Sequence, residues 1–344
     1  MTFQFTDFDS TDYQLVNQAL KQANTEYSDE DAEVRIFEDF DAGRNLYQIY
    51  LLAKLIHDTK ADAFDIQYDK NKHFKKAVQG KVAKAFHALH HSPIDYHARY
   101  DCHDYIEIVL EAMMRYRLSC FNDMHIPAAE QNLDQAKSIN AMVVEIRSLL
   151  RQPKVQERIR NRRKNAYKNY LRSMKDVDSL FDRRSRYLIV RVDFGYKRYE
   201  DGSMVALEEA CWDIKTFLNA VRDELFIKHC QAFIGQMEFG EDKGLHFHFF
   251  FFFDGAKHMP SHDSMVGQKL GKFWVEQVTS GKGIYHNCNR KKDAYKKLGI
   301  GMVHRSDNEK RKNLDYAIGY LMKSDQFVLS KLKRSSRTFY RWKK

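Results

Sequence analysis

The sequence predicts an α+β protein, an all-helical N-terminal region followed by an antiparallel sheet, and three observations predict it. Glycine is the first: of 15 in the chain, only Gly43 and Gly80 precede Gly195. The second is a change of period. Apolar residues recur at three- and four-residue steps in the first half and alternate in the second, the spacings of helix and strand faces. The third is the order of segments after residue 186, which reads β-α-β-β-α-β-α and suggests a ferredoxin/RRM-like antiparallel sheet with helices on one face.

Residues 1–42 form an acidic segment, with eleven Asp/Glu against Lys21 and Arg35. Residues 43–180 are expected to be helical, with apolar stripes over Asn45–Ile56, Tyr105–Tyr116 and Ala141–Leu150. This region ends in a basic helix, Lys154 to Lys175, carrying nine Lys/Arg against Glu157. In the region 181–326, Tyr187–Phe194 alternates and is rich in β-branched residues, as a strand requires. A helix over 206–228 follows. Ala232–Phe239 and Leu245–Phe253 are two further strands joined by the turn Gly240–Gly244. A helix near 264–278, a short strand at 300–304 and a helix over 314–324 complete the set. Residues 327–344 read as a basic aromatic tail.

At 344 residues, with 43% hydrophobic and 13% aromatic residues, the chain is long enough for about two domains with cores of their own. No apolar run approaches the roughly 18 residues of a membrane span, and the start lacks the pattern of a secretion signal. The five scattered cysteines fit a reducing compartment, so the cytoplasm is the expected location and no membrane partner is expected. The net charge of +10 is uneven: residues 1–180 hold 26 basic and 27 acidic residues (−1), and 181–344 hold 31 and 20 (+11). Such a surface attracts polyanions, most often nucleic acid.

The chemistry centres on His246 and His248, which a strand points to the same side. A hairpin centred at Asp242 pairs Glu238 with His246 and Gln236 with His248, gathering two imidazoles and a carboxylate on one face. That is a candidate divalent-metal site. Downstream, Tyr316, Tyr320 and Lys323 share one helix face, two phenols and an ammonium suited to act on a phosphate. Candidate DNA contacts are Arg158, Arg162 and Arg163 on the basic helix, Arg290, Lys291 and Lys292 after His286-Asn287-Cys288, and Lys333 and Arg334 in the tail, where Phe339, Tyr340 and Trp342 could stack on bases. Asp193 is a possible partner for a metal-bound imidazole, or half of a surface ion pair with Arg191. The histidines at 87, 90, 91, 97 and 103 fit packed or solvent-facing helical residues better than a second metal site, and His304 is expected in the core.

His246-Phe247-His248 with its following phenylalanines resembles the His-hydrophobe-His motif of HUH endonucleases, and Tyr320-Leu321-Met322-Lys323 resembles their Y-x-x-K motif, with Tyr316 as the paired tyrosine. Residues 185–326 are similar to the YagK/YfjJ C-terminal domain family, related to the replication proteins of filamentous phages. Gly319 stands where some two-tyrosine initiators carry a second Lys. The resemblance implies an HUH endonuclease core that cuts single-stranded or origin DNA to start rolling-circle replication of a phage, plasmid or integrated element. Tyr320 would form a 5′-phosphotyrosine with Mg²⁺ or Mn²⁺ on His246, His248 and Glu238. Host helicase and polymerase are the implied partners, since no G-x-x-x-x-G-K-[ST] loop occurs. Two other readings stay open: a non-catalytic DNA- or RNA-binding regulator, and a transposase or relaxase.

Overall fold

The computed structural model describes residues 25–27, 34–36, 41–87, 89, 100–116, 129–197, 205–240, 244–292, 295, 297–324, 328–330 and 338–344. It is a mixed α+β protein with antiparallel sheets. Two short paired strands, β1 (Thr25–Tyr27) and β2 (Val34–Ile36), come first. Next are α1 (Asp41–Asp58), β3 (Phe64–Tyr68), β4 (Phe74–Gln79), α2 (Lys81–His87), β5 (Tyr100–Cys102), α3 (Asp104–Arg115) and α4 (Leu133–Leu150). Helix α1 buries Ile49, Leu52, Ala53 and Ile56, the spacing of a single helical stripe. Together with Ile106, Val109, Met142, Val143 and Ile146 it forms the first core. Helix α4 starts where Asn132 Oδ1 accepts the amides of Asp134 (3.0 Å) and Gln135 (3.1 Å).

This region is not all helical. Strands β3 and β4 make an antiparallel hairpin turned by Asp69, whose Oδ1 accepts the amides of Asn71 and His73, both at 2.8 Å. Asn140 of α4 clamps it, accepting from Phe64 N (2.8 Å) and donating to Phe64 O (2.9 Å). Lysines and aspartates on its open side break the apolar alternation that would have announced it.

Helix α5 (Pro153–Arg183) is 31 residues long, about 46 Å at 1.5 Å per residue, and joins two cores. Val155 belongs to the first; Tyr170, Val177, Leu180 and Phe181 lie on the main sheet. The basic helix therefore belongs as much to the sheet as to the helices before it.

The main sheet comprises β6 (Arg186–Tyr196), β7 (Cys230–Gly240), β8 (Gly244–Asp254), β9 (Gly283–Asn287), β10 (Gly301–His304) and β12 (Phe339–Lys343), in the order β10-β6-β8-β7-β12 with β9 also on β6. Strand β11 (Val328–Ser330) pairs with β5 instead. Three helices connect the strands: α6 (Leu207–Arg222), α7 (Asp263–Phe273) and α8 (Asn308–Ser324). All pairings are antiparallel.

Helices cover both faces, not one. On the first face Val190, Val192, Phe194, Phe247, Phe249 and Phe251 pack with α6, α7 and Trp274. On the second, Ile189, Ala232, Ile234, Phe250 and Phe252 meet the C-terminal half of α5 and Leu314, Ile318, Leu321 and Met322 of α8. The cause is the unbroken run Phe249–Phe253: alternation sends its rings to both sides, so both need apolar cover. Gly235 lets β7 lie against the Phe249 ring, since a Cβ there would stand 2.2 Å from it.

The aromatic end of the tail, expected to stack on nucleic acid, is instead the edge strand β12. Tyr340 and Trp342 pack into the first-face core and Phe339 into the second. Arg341 pairs with Asp176 of α5 at 2.8 Å, and Lys343 Nζ donates to Ser179 at 2.9 Å. Among the described residues, no helix is long and apolar enough to cross a membrane.

Candidate metal centre

The β7–β8 register pairs Glu238 with His246 and Gln236 with His248, as the hairpin spacing predicts. Strand β6 adds Asp193 opposite His248, and β9 adds His286 opposite Asp193. Alternation places all of them on the second face. One row therefore crosses five strands: His286, Asp193, His248, Gln236 and Phe339, with Glu238 and His246 one step nearer the hairpin. On the other side the row borders apolar Phe250 and Ile234.

Glu238 Oε2 lies 3.6 Å from His246 Nε2 and 3.4 Å from His248 Nε2. The two imidazoles meet edge to face, centroids 5.0 Å apart, and one ligand atom from each of the three residues falls within 4.8 Å of the others. Both histidines are buried, and the Glu238 side chain is 22% exposed. Bonds of about 2.1 Å place neighbouring ligand atoms roughly 3.0 Å apart in an octahedron and 3.4 Å apart in a tetrahedron. The two Glu238 contacts are near that spacing, so these three residues could hold a divalent metal ion.

A second layer fixes the imidazole. His248 Nδ1 is 2.8 Å from Asp193 Oδ1, an ion-pair contact that leaves Nε2 facing Glu238. Asp193 is in turn held by Arg191 Nε at 3.3 Å and by the Cys288 thiol at 3.7 Å, and Arg191 lies over the Phe250 ring at 5.5 Å. Burial works against the Asp193 charge, but Arg191 and His248 outweigh it and hold its carboxyl far below the usual carboxylate range. Burial likewise opposes a charged His248, yet Asp193 and Glu238 raise it to about 9. Burial pushes the Cys288 thiol up to about 12, so it is an uncharged donor here.

Gln236 supports the fit. Its side chain is fully buried beside His248, and neither its amide oxygen nor its nitrogen has a hydrogen-bond partner among the described residues. A buried carboxamide left this way costs on the order of 1–3 kcal/mol, which a polar ligand in the row would recover. Sequence reasoning placed Gln236 on the face without assigning it a role. His286 carries no local signal of this place, because the basic residues that follow mask the short strand Gly283–Asn287.

The tyrosines lie on α8, which packs over the same face. Its core stripe is Leu314, Ile318, Leu321 and Met322; Tyr316 and Tyr320 flank that stripe and are half-buried. Lys297 Nζ sits 3.6 Å from the centre of the Tyr316 ring, a contact no motif announced. Helix α8 is anchored to α5 by Tyr170 Oη donating to Asp315 (2.6 Å) and by Arg311 with Asp178 (2.7 Å). Lys323 falls in the last turn of α8, its side chain outside the described residues.

The expected DNA contacts divide. Arg158 and Arg162 both pair with the buried carboxylate of Asp104, the latter at 3.8 Å. Lys292 pairs with buried Asp263 at 2.5 Å, which ties the 289–292 turn to α7. Arg163, Arg290 and Lys291 are exposed; Lys333 and Arg334 lie outside the described residues. His304 is exposed and not in the core, its Nδ1 bonded to Ser306 Oγ at 2.6 Å. His103 is buried, and His90, His91 and His97 lie outside the described residues.

No family model, curated protein or solved structure matches this chain.

Proposed function

We propose that the sheet unit is a DNA nicking-joining enzyme that cuts one strand of origin DNA through a tyrosine nucleophile, to initiate rolling-circle replication of a phage, plasmid or integrated element. One observation carries this reading: the Glu238–His246–His248 cluster and the tyrosine helix occupy the same face of one rigid sheet. The strand order β10-β6-β8-β7 supports it too, being the order of a ferredoxin-like βαββαβ unit, the arrangement the HUH resemblance implies.

A divalent ion on Glu238, His246 and His248 would polarise the scissile phosphate as a Lewis acid. Two nitrogens and one oxygen favour Mn²⁺ over the oxygen-seeking Mg²⁺. The protein's own residues do the rest. Asp193 keeps His248 Nε2 turned inward, and Arg191 keeps Asp193 charged. Tyr320 Oη bonds to phosphorus as the bond to the 3′ oxygen breaks, and the phenolic proton ends on the departing 3′-hydroxyl. The 5′-phosphotyrosine retains the phosphoester bond, so a 3′-hydroxyl can attack its phosphorus, release the Tyr320 phenol and reseal the strand, with Tyr316 making the second cut that frees that 3′-hydroxyl. A phenol in water ionises near pH 10, so cationic side chains such as Lys323 are needed to offset charge as the oxygen attacks.

The test is fluorescent single-stranded DNA incubated with the protein and Mn²⁺, read on a denaturing gel. A protein–DNA adduct that disappears in His246→Ala, with salt-sensitive DNA binding retained, supports the reading. Tight binding with no adduct on any origin sequence leaves a non-catalytic nucleic-acid-binding regulator.

A further inference from the structure

In the helical unit, a cleft of about 460 Å³ opens between α1, α3 and the first half of α5. That volume lies within the range of small-ligand sites. One wall is aromatic. Tyr50 and Tyr105 stack at 5.8 Å with their planes 28° apart, and His57 lies against Tyr105 at 5.5 Å. His103 meets both tyrosines edge-on at 5.2 Å. It is 6% exposed, and its Nδ1 accepts the Tyr105 amide at 3.1 Å, so Nε2 carries the proton and can donate. Burial, reinforced by the Arg162 charge, lowers its pKa to about 3 and keeps the ring neutral.

The other wall is cationic. Lys54, Arg160, Arg162 and Arg163 bring four positive charges to the cleft. Asp58 at the rim and Asp104 beneath Arg162 bring two negative ones. The Asp104 carboxylate, 3% exposed, also fixes Arg162 in place. Flat rings beside arginines are the combination that recognises a base together with its phosphate, by stacking and by charge-assisted hydrogen bonds.

We propose that this cleft binds one nucleotide unit, its phosphate on Arg160 and Arg163 and its base against the Tyr50–Tyr105–His103 wall. The site shares no residue with the metal centre and does not depend on the nicking reading. A nucleotide can arrive free or as part of a single strand, and the two sources are separable.

The test measures anisotropy of a labelled ten-nucleotide thymidine oligomer on the full chain, with free thymidine monophosphate, an abasic oligomer and polyglutamate as competitors. Arg160→Gln/Arg163→Gln, both exposed positions, is expected to weaken oligomer binding at least tenfold and to flatten the log–log salt slope by about 1.4, two phosphate contacts' worth. Ile159→Trp fills the cleft without changing charge and should cost as much. Its circular dichroism should match wild type. His246→Ala/His248→Ala should leave binding intact, which separates failure here from failure of the nicking reading. Competition by the monophosphate identifies a free-nucleotide site; competition by the oligomer alone identifies a strand site. Either supports the proposal. Unchanged affinity in the arginine double variant or in a folded Ile159→Trp would overturn it. So would equal competition by the abasic oligomer or polyglutamate.

Discussion

Asp193→Asn separates the roles of the layer behind the metal site. The substitution keeps an oxygen that can accept from His248 Nδ1 but removes the charge that faces both His248 (2.8 Å) and Arg191 (3.3 Å). Losing a carboxylate behind a ligating histidine costs typically tenfold to a hundredfold in metal affinity, about 1.4–2.7 kcal/mol; retention of the acceptor places the expectation nearer tenfold. Stability suffers separately. Arg191 is left enclosed with its carboxylate gone, and breaking a buried pair from one side costs roughly 3 kcal/mol. For a unit of this size that is about 6–12 °C in Tm. Calorimetric titration of Mn²⁺ and a thermal melt of the metal-free protein measure the two effects independently. Mn²⁺ affinity within twofold of wild type, on protein shown to be folded, would refute the claim that Asp193 orients His248 for a ligand.

Three further outcomes follow from particular contacts. His103 is neutral in the fold, with its pKa lowered to about 3 from 6.5, so the unfolded chain takes up its proton first. The neutral ring costs nothing above about pH 6.5 and destabilises the fold as pH falls toward 3, by up to roughly 5 kcal/mol; urea midpoints that are flat from pH 6.5 to 4.5, or no flatter in His103→Asn, would contradict this. Gly235→Ala sets a methyl group against the Phe249 ring and should destabilise by about 1–3 kcal/mol; an unchanged melt would mean that the ring moves aside freely. Gln236→Leu removes the unpartnered carboxamide beside His248 and should leave the metal-free protein as stable or more so, while Mn²⁺ binds more weakly. A clear loss of metal-free stability would show that the amide has partners in the fold.

Much of the sheet was legible because its signals are local. Alternation marked β6, β7 and β8, and a five-residue turn set the register that brings Glu238 and Gln236 opposite the two histidines. What escaped depended on distant partners. The hairpin β3–β4 is held by Asn140, some seventy residues on. Strand β12 forms only because β7 offers a free edge, and its lysines and arginines, which read as a nucleic-acid tail, are matched to Asp176 of α5. Helices on the second face were implied by the phenylalanine run, whose length demands apolar cover on both sides. Charge misled most: Arg158, Arg162 and Lys292 looked like phosphate contacts, yet each has a buried aspartate as partner. Composition reports how many cations a segment carries, not which of them the fold has already engaged.

The most direct measurement is mass spectrometry of the protein after reaction with a single-stranded origin oligomer and Mn²⁺, digested to find the residue that carries the nucleotide. A 5′-phosphonucleotide on Tyr320, absent when His246 or His248 is alanine, is the result expected if imidazoles and phenol act on one phosphodiester. A nucleotide on a residue outside α8, or a Tyr320 adduct that forms undiminished without either histidine, would contradict it.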